Sequence, residues 1–138
     1  MSKDSSLTTI FDHTFKHAKT LARNFYFKEW AKHPPQCPAV QGETINITRE
    51  GWEHILRERH RTKMDILGRF FNLEIAKYIL ETATSYQDYR KRGDTEFWIF
   101  EAVVGELKAR IIVRSIKKGR KHFYSVIRKG SVEKEIEE

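Results

Sequence analysis

The sequence predicts an α+β domain in which N-terminal helices pack on a four-stranded antiparallel β-meander. Three observations carry that expectation. Apolar residues recur at three-four spacing from Ile10 to Ala83, the period drops to two after residue 84, and Gly93, Gly105 and Gly119 punctuate the alternating part at hairpin intervals. Helical segments first and a strand meander second form an α+β signature. A chain of 138 residues makes one domain with room for a core. Its divisions are an N-terminal helix and proline loop over 1–44, a core over 45–130, and an acidic tail over 131–138.

The first helix is expected over 10–32, where Ile10, Phe11, Ala18, Leu21, Ala22 and Phe25 share a stripe and lysines fall largely between them. His33-Pro34-Pro35 ends it, because proline disfavours a helical residue before it. A loop over 34–44 follows, then a short strand over 44–47. Thr48 is a good N-cap, with Glu50 in the first turn of a helix over 49–60. Trp52, Ile55 and Leu56 form its buried stripe; His60 falls at the edge of that stripe and His54 points away from it. A further helical stretch over 65–83, broken and re-capped at Asn72, presents Ile66, Leu67, Phe70, Leu73, Ala76, Ile79, Leu80 and Ala83 to the core.

Strands are expected over 85–91, 95–104, 107–117 and 121–128. Two-residue turns at Gly105-Glu106 and Lys118-Gly119 would set Glu101 opposite Arg110, Ile99 opposite Ile112, Phe97 opposite Arg114, Arg114 opposite Phe123, and Ile112 opposite Ser125. One sheet face then holds Trp98, Phe100, Ala102, Val104, Leu107, Ala109, Ile111, Val113, Tyr124 and Val126, and the helices should cover it. The other holds Tyr86, Arg90, Glu101, Arg110, Arg114, Lys121 and Ser125 among Phe97, Ile99, Ile112, Phe123 and Ile127.

Charge is concentrated in the last hairpin. Between Gly105 and Gly130 the cations Lys108, Arg110, Arg114, Lys117, Lys118, Arg120, Lys121, Arg128 and Lys129 face one acid, Glu106, whereas the whole chain carries a net charge of +7. Such a patch is the footprint of a polyanion, most often RNA or DNA. No apolar run is long enough to span a bilayer, and the N-terminus lacks the apolar stretch of a secretory signal. A single cysteine, Cys37, suits a reducing cytoplasm. The acidic tail VEKEIEE reads as a frayed, solvated end.

Few catalytic chemistries find a motif here. His13 and His17 stand at i, i+4, but no HExxH or CxxC is present, and a metal is not expected. Phosphate-binding glycine loops are absent, so no cofactor is expected. Metal-free RNA cleavage has a candidate for every role: His54, His60 or Glu101 for proton transfer, Arg110 and Arg114 for the phosphorane charge, Ser125 and Tyr86 for positioning. Each has a bland alternative. The histidines could be solvated or at the core edge, Glu101 and Arg110 a cross-strand ion pair, and Ser125 simply a small residue. Arg114 is harder to dismiss, because it interrupts the apolar strand IIVRSI and needs a buried partner or a ligand there. Lys117, Lys118, Arg120, Lys121 and Arg90 would steer RNA.

ITREGWEHILRERH (47–60), followed by a helical segment and a meander ending in RIIVRSIKKGRKHFYSVI (110–127), resembles the barnase–EndoU–colicin–RelE-like (BECR) ribonuclease-toxin domains, especially those of phages and mobile elements. The matching residues are His54, Ile55, Arg59 and His60 on the helix, Ser125-Val126-Ile127 on the last strand, and Arg114 with Arg110 as basic strand residues. The resemblance covers about residues 45–130. It implies metal-independent cleavage of transfer or messenger RNA and an acidic antitoxin or immunity protein as partner. Two other readings stand beside the ribonuclease: a non-catalytic RNA- or DNA-binding module, and an accessory protein whose basic hairpin meets an acidic protein.

Overall fold

A computed structural model describes residues 3–57, 62–128 and 131–137. The first helix, α1 (Lys3–Asn24), starts earlier than the apolar stripe indicates, and its last turns widen into a π-helical segment over Phe25–Trp30. The wider winding, with Ala31 N–H donating to the Tyr26 carbonyl at 2.8 Å, leaves both Tyr26 and Trp30 fully buried. The expected loop contains β1 (Gln36–Cys37), which pairs with β2 (Glu43–Thr44). Gln41 and Gly42 both have positive φ at the intervening turn.

Thr48 caps α2 (Arg49–Leu56), its hydroxyl accepting from Gly51 N–H. The helix ends at Leu56 rather than residue 60, because Arg57 is extended. Then come α3 (Lys63–Phe71), opened by a Thr62/Asp65 capping box, and α4 (Leu73–Thr82), separated at Asn72 as the sequence indicates. The sheet is an antiparallel meander in the order β3 (Asp88–Arg92), β4 (Thr95–Val104), β5 (Leu107–Ile116), β6 (His122–Ile127). The main core lies between the helices and one sheet face, where Trp98, Phe100, Ala102, Ala109, Ile111, Val113, Phe123 and Val126 meet residues such as Ile55, Ile66, Phe70, Leu73 and Leu80. The fold class is therefore α+β as expected.

Gly51 sets how closely α2 approaches β6. A Cβ there would lie 2.5 Å from the Tyr26 hydroxyl and 2.7 Å from the Phe123 carbonyl oxygen. Only hydrogen fits, so the helix rests directly against the strand backbone.

The β4–β5 register is the expected one: Phe97 opposes Arg114, Ile99 opposes Ile112, and Glu101 opposes Arg110. The last hairpin differs. Its turn is centred on Lys117-Lys118, both left-handed (φ 52° and 57°), and Gly119 N–H closes it onto the Ile116 carbonyl at 2.9 Å. Two positive-φ residues make the primed turn that a twisted hairpin prefers. Ile112 still opposes Ser125, but Arg114 opposes His122 rather than Phe123, because a β-bulge at Ile112/Val113 leaves Tyr124 as the extra residue of β6. The bulge exchanges the expected faces of two aromatics: Phe123 joins the main core, and Tyr124 joins Phe97, Ile99 and Ile112 on the opposite side. Lys121 also leaves the expected face, its ammonium lying 4.6 Å from the Trp98 ring centre. Tyr86 likewise sits edge-on to Phe100 of the main core.

The acidic tail is not frayed. Val132–Glu137 form α5, which lies on the second sheet face with Ile136 buried among Phe97, Ile99, Ile112 and Tyr124. Among the described residues no helix is long and apolar enough to cross a membrane.

Candidate active site

Strand pairing lines up the polar residues of the second face in rows. Arg90, Phe97, Arg114 and His122 form one row; Asp88, Ile99, Ile112 and Ser125 the next; Glu101, Arg110 and Ile127 the third. Alternation along each strand carries the apolar residues into a strip on which α5 packs.

The densest chemistry lies where β6, α2, α3 and α5 converge. Arg69 of α3 grips the Glu135 carboxylate through Nη2 to Oε1 (2.5 Å) and Nη1 to Oε2 (3.2 Å), a bidentate fork. Nη1 also donates to Ser125 Oγ at 2.8 Å, and Ser125 Oγ donates to Glu135 Oε2 at 2.8 Å. His54 Nε2 completes the set, 3.0 Å from the same oxygen. A carboxylate held by a guanidinium accepts only, so Nε2 is the nitrogen that carries hydrogen. Three donor side chains thus close on one anion, and all four residues are buried: His54 1%, Arg69 6%, Ser125 0% and Glu135 6% exposed. His54, a candidate for proton transfer whose bland alternative was a solvated histidine, is covered by α5 and by the Tyr124 ring, stacked on the imidazole with centroids 4.1 Å apart.

Tyr124 also touches a second polar group. The Arg114 guanidinium lies over its ring at 4.5 Å, donates through Nε to His122 Nε2 (2.9 Å) and through Nη2 to Glu50 (2.9 Å). These are the partners that an arginine inside an apolar strand requires. His122 accepts from a cation and is therefore neutral here, and burial, then the Arg114 charge, hold its pKa below the usual histidine value.

The expected residues thus fall into separate groups. His54 and Ser125 meet on one anion, and Arg114 stands one aromatic ring away. Arg110 and Glu101 lie in the next row as a partly exposed ion pair at 3.3 Å, shared with Lys108 at 2.9 Å. The two cations, Lys108 first, hold the Glu101 carboxyl below the ordinary range. Arg90 is engaged by Asp88 and by Glu133 of α5, which also binds Arg92. Lys117, Lys118 and Arg120 are exposed at the last turn, and Lys121 pairs with Glu43 at 2.8 Å. His60 lies outside the described residues. An open pleated surface was expected around Ser125; α5 covers it.

Arg69 and His122 were not among the sequence candidates, and neither was Glu135 of the acidic tail. Arg69 stands three residues after Ile66 and four before Leu73, on the apolar stripe of its helix, so the reasoning that singled out Arg114 applies equally to it. His122 was visible only as one of six histidines. Among the described residues no group of three His, Cys, Asp or Glu side chains is arranged to hold a metal ion. Compared with protein-family models, curated proteins and solved structures, the chain shows no match.

Proposed function

We propose that the chain is a metal-independent ribonuclease of toxin type, as its resemblance to BECR domains implies, with its reaction centre on the second sheet face. The observation that carries this reading is the convergence of His54, Arg69 and Ser125 on a single buried anion, beside Arg114. In this reading an RNA phosphate takes the place of that anion. Arg69 and Arg114 stabilise the charge that grows on the phosphorane, and Ser125 orients a non-bridging oxygen. A base removes the 2′-OH proton as the 2′-oxygen attacks phosphorus. The P–O5′ bond breaks, His54 Nε2–H supplies a proton to the leaving oxygen, and a 2′,3′-cyclic phosphate remains. His122, neutral and beside Arg114, has the protonation state that a base requires. Lys117, Lys118 and Arg120 draw RNA in, with an affinity that falls as salt rises. The protein works in the cytoplasm, where RNA is present and the buried free thiol of Cys37 stays reduced.

The test is incubation with labelled single-stranded RNA, with and without EDTA. Cleavage that persists in EDTA, leaves cyclic phosphate ends and disappears in His54→Gln and Arg114→Ala with the fold intact meets the expectation. A second reading, a binding module without catalysis, is favoured by the burial of His54 and Ser125 beneath α5. RNA binding without cleavage, in the wild-type chain and in variants that loosen α5, would select it.

A further inference from the structure

The C-terminal helix is chemically matched to the face it covers. That face is built of Arg69, Arg90, Arg92 and Arg114, whereas residues 131–138 carry four glutamates and one lysine. Two of those glutamates are placed on arginines: Glu133 on Arg90 and Arg92, and Glu135 on Arg69. Among the described residues, Arg69 of α3, Ser125 of β6 and His54 of α2, all from the body of the domain, bond the Glu135 carboxylate. The acceptor comes from a six-residue helix that is too short to persist undocked. A guanidinium fork, a hydroxyl and an imidazole N–H directed at one pair of oxygens would hold two oxygens of a phosphodiester in the same way, and at the same unit charge.

We infer that Arg69, Ser125 and His54 form a seat for an RNA phosphate, and that Glu135 fills it in cis, so that α5 is a built-in phosphate mimic closing the site. The inference rests on reading this face as directed at RNA. Ile136, set into Phe97, Ile99, Ile112 and Tyr124, and the Tyr124 hydroxyl bond to the Glu135 carbonyl (3.2 Å) hold the helix shut. Opening exchanges two carboxylates for backbone phosphates on the same arginines, so the helix and the nucleic acid compete for one surface.

The experiment uses the full chain, the variant Glu133→Gln/Glu135→Gln, and that variant with Arg69→Gln added. The probes are inorganic phosphate and a labelled single-stranded RNA that is 2′-O-methylated throughout, so that binding is read without cleavage. The double variant should bind the RNA at least about tenfold more tightly than wild type, a differential within the usual range for coupled sites. Its melting temperature should rise with inorganic phosphate more than with chloride at equal ionic strength. Addition of Arg69→Gln should remove both gains. In the wild-type chain, phosphate should speed amide exchange in 132–137 beyond the effect of chloride, a measurement that needs no variant. A folded double variant with no gain in RNA affinity, or phosphate and chloride acting alike on the wild type, overturns the inference. Tighter binding with no cleavage of unmodified RNA would uphold the seat and refute the ribonuclease.

Discussion

Replacing Arg69 by methionine tests how the buried cluster is held together. The side chain is similar in length but takes the guanidinium fork away from the Glu135 carboxylate, 8% exposed, while Ser125 and His54 still donate to it. Breaking a buried ion pair from one side costs about 3–5 kcal/mol, because the remaining charge is stranded. The chain has a cheaper response, which is to release α5. Release forfeits the burial of Ile136, about 2 kcal/mol, and the exposed Glu133 contacts, each worth about 0–1 kcal/mol. It also returns conformational freedom to the six residues of the helix, which offsets part of that loss. Undocking therefore wins. Global stability should fall by about 2–3 kcal/mol in urea unfolding, while hydrogen exchange reports 132–137 unprotected and β4 and β5 still protected. The comparator is Arg110→Met, whose partner Glu101 keeps Lys108 and water, and whose cost should stay below about 1 kcal/mol. An Arg69→Met protein in which α5 remains protected, or whose loss equals that of Arg110→Met, would refute the reasoning.

Gly51→Ala should destabilise the protein by about 1–3 kcal/mol in the same assay, since its Cβ meets Phe123 backbone at 2.7 Å; a neutral result would mean α2 can lift off β6 freely. Lys118→Gly should raise stability by about 1 kcal/mol, seen as a melting temperature a few degrees higher, because left-handed backbone is costly for a side-chain-bearing residue. Under the proposed function it should also weaken RNA binding, and an unchanged melting temperature would argue that the turn carries no strain. His122 binds its proton at lower pH in the fold than the ordinary value near 6.5, so in that window the unfolded chain holds more protons. Stability should therefore decline as pH drops through the window, His122→Gln should flatten the decline, and a ring titration by NMR with a midpoint above 6.5 would contradict it.

Periodicity made most of the scaffold legible. The stripe of Ile66, Leu67, Phe70, Leu73, Ala76 and Leu80 is buried as read, and glycine spacing located the first two hairpin turns of the meander. What escaped was set by tertiary contacts or by backbone detail. Nothing in the local pattern of Lys117-Lys118-Gly119 says that two lysines will take positive φ in place of the glycine, and the shifted turn and the bulge followed from that. The polar cluster joins residues 54, 69, 125 and 135, and Glu135 stands 66 residues from Arg69 and 81 from His54. The tail was read as solvated because charge was counted without asking what Ile136 does within it; a six-residue amphipathic end becomes helical only when a surface receives it. His54 shows the same limit, since a helical wheel finds the face turned from the main core but not a second cover on that side.

The extra residue in β6 also constrains how the chain can change length. Ahead of Tyr124 and behind it, the strand runs with opposite parity, so phenyl and phenol anchor two different layers from adjacent positions. Deleting one residue between Lys117 and Tyr124 would restore simple alternation and drive Tyr124 inward. The imidazole of His54 would lose its stacking partner and Arg114 its aromatic rest, although neither had been altered. Insertions and deletions in this hairpin are therefore tolerated only in even steps, and odd ones must be answered by a compensating bulge elsewhere along the strand.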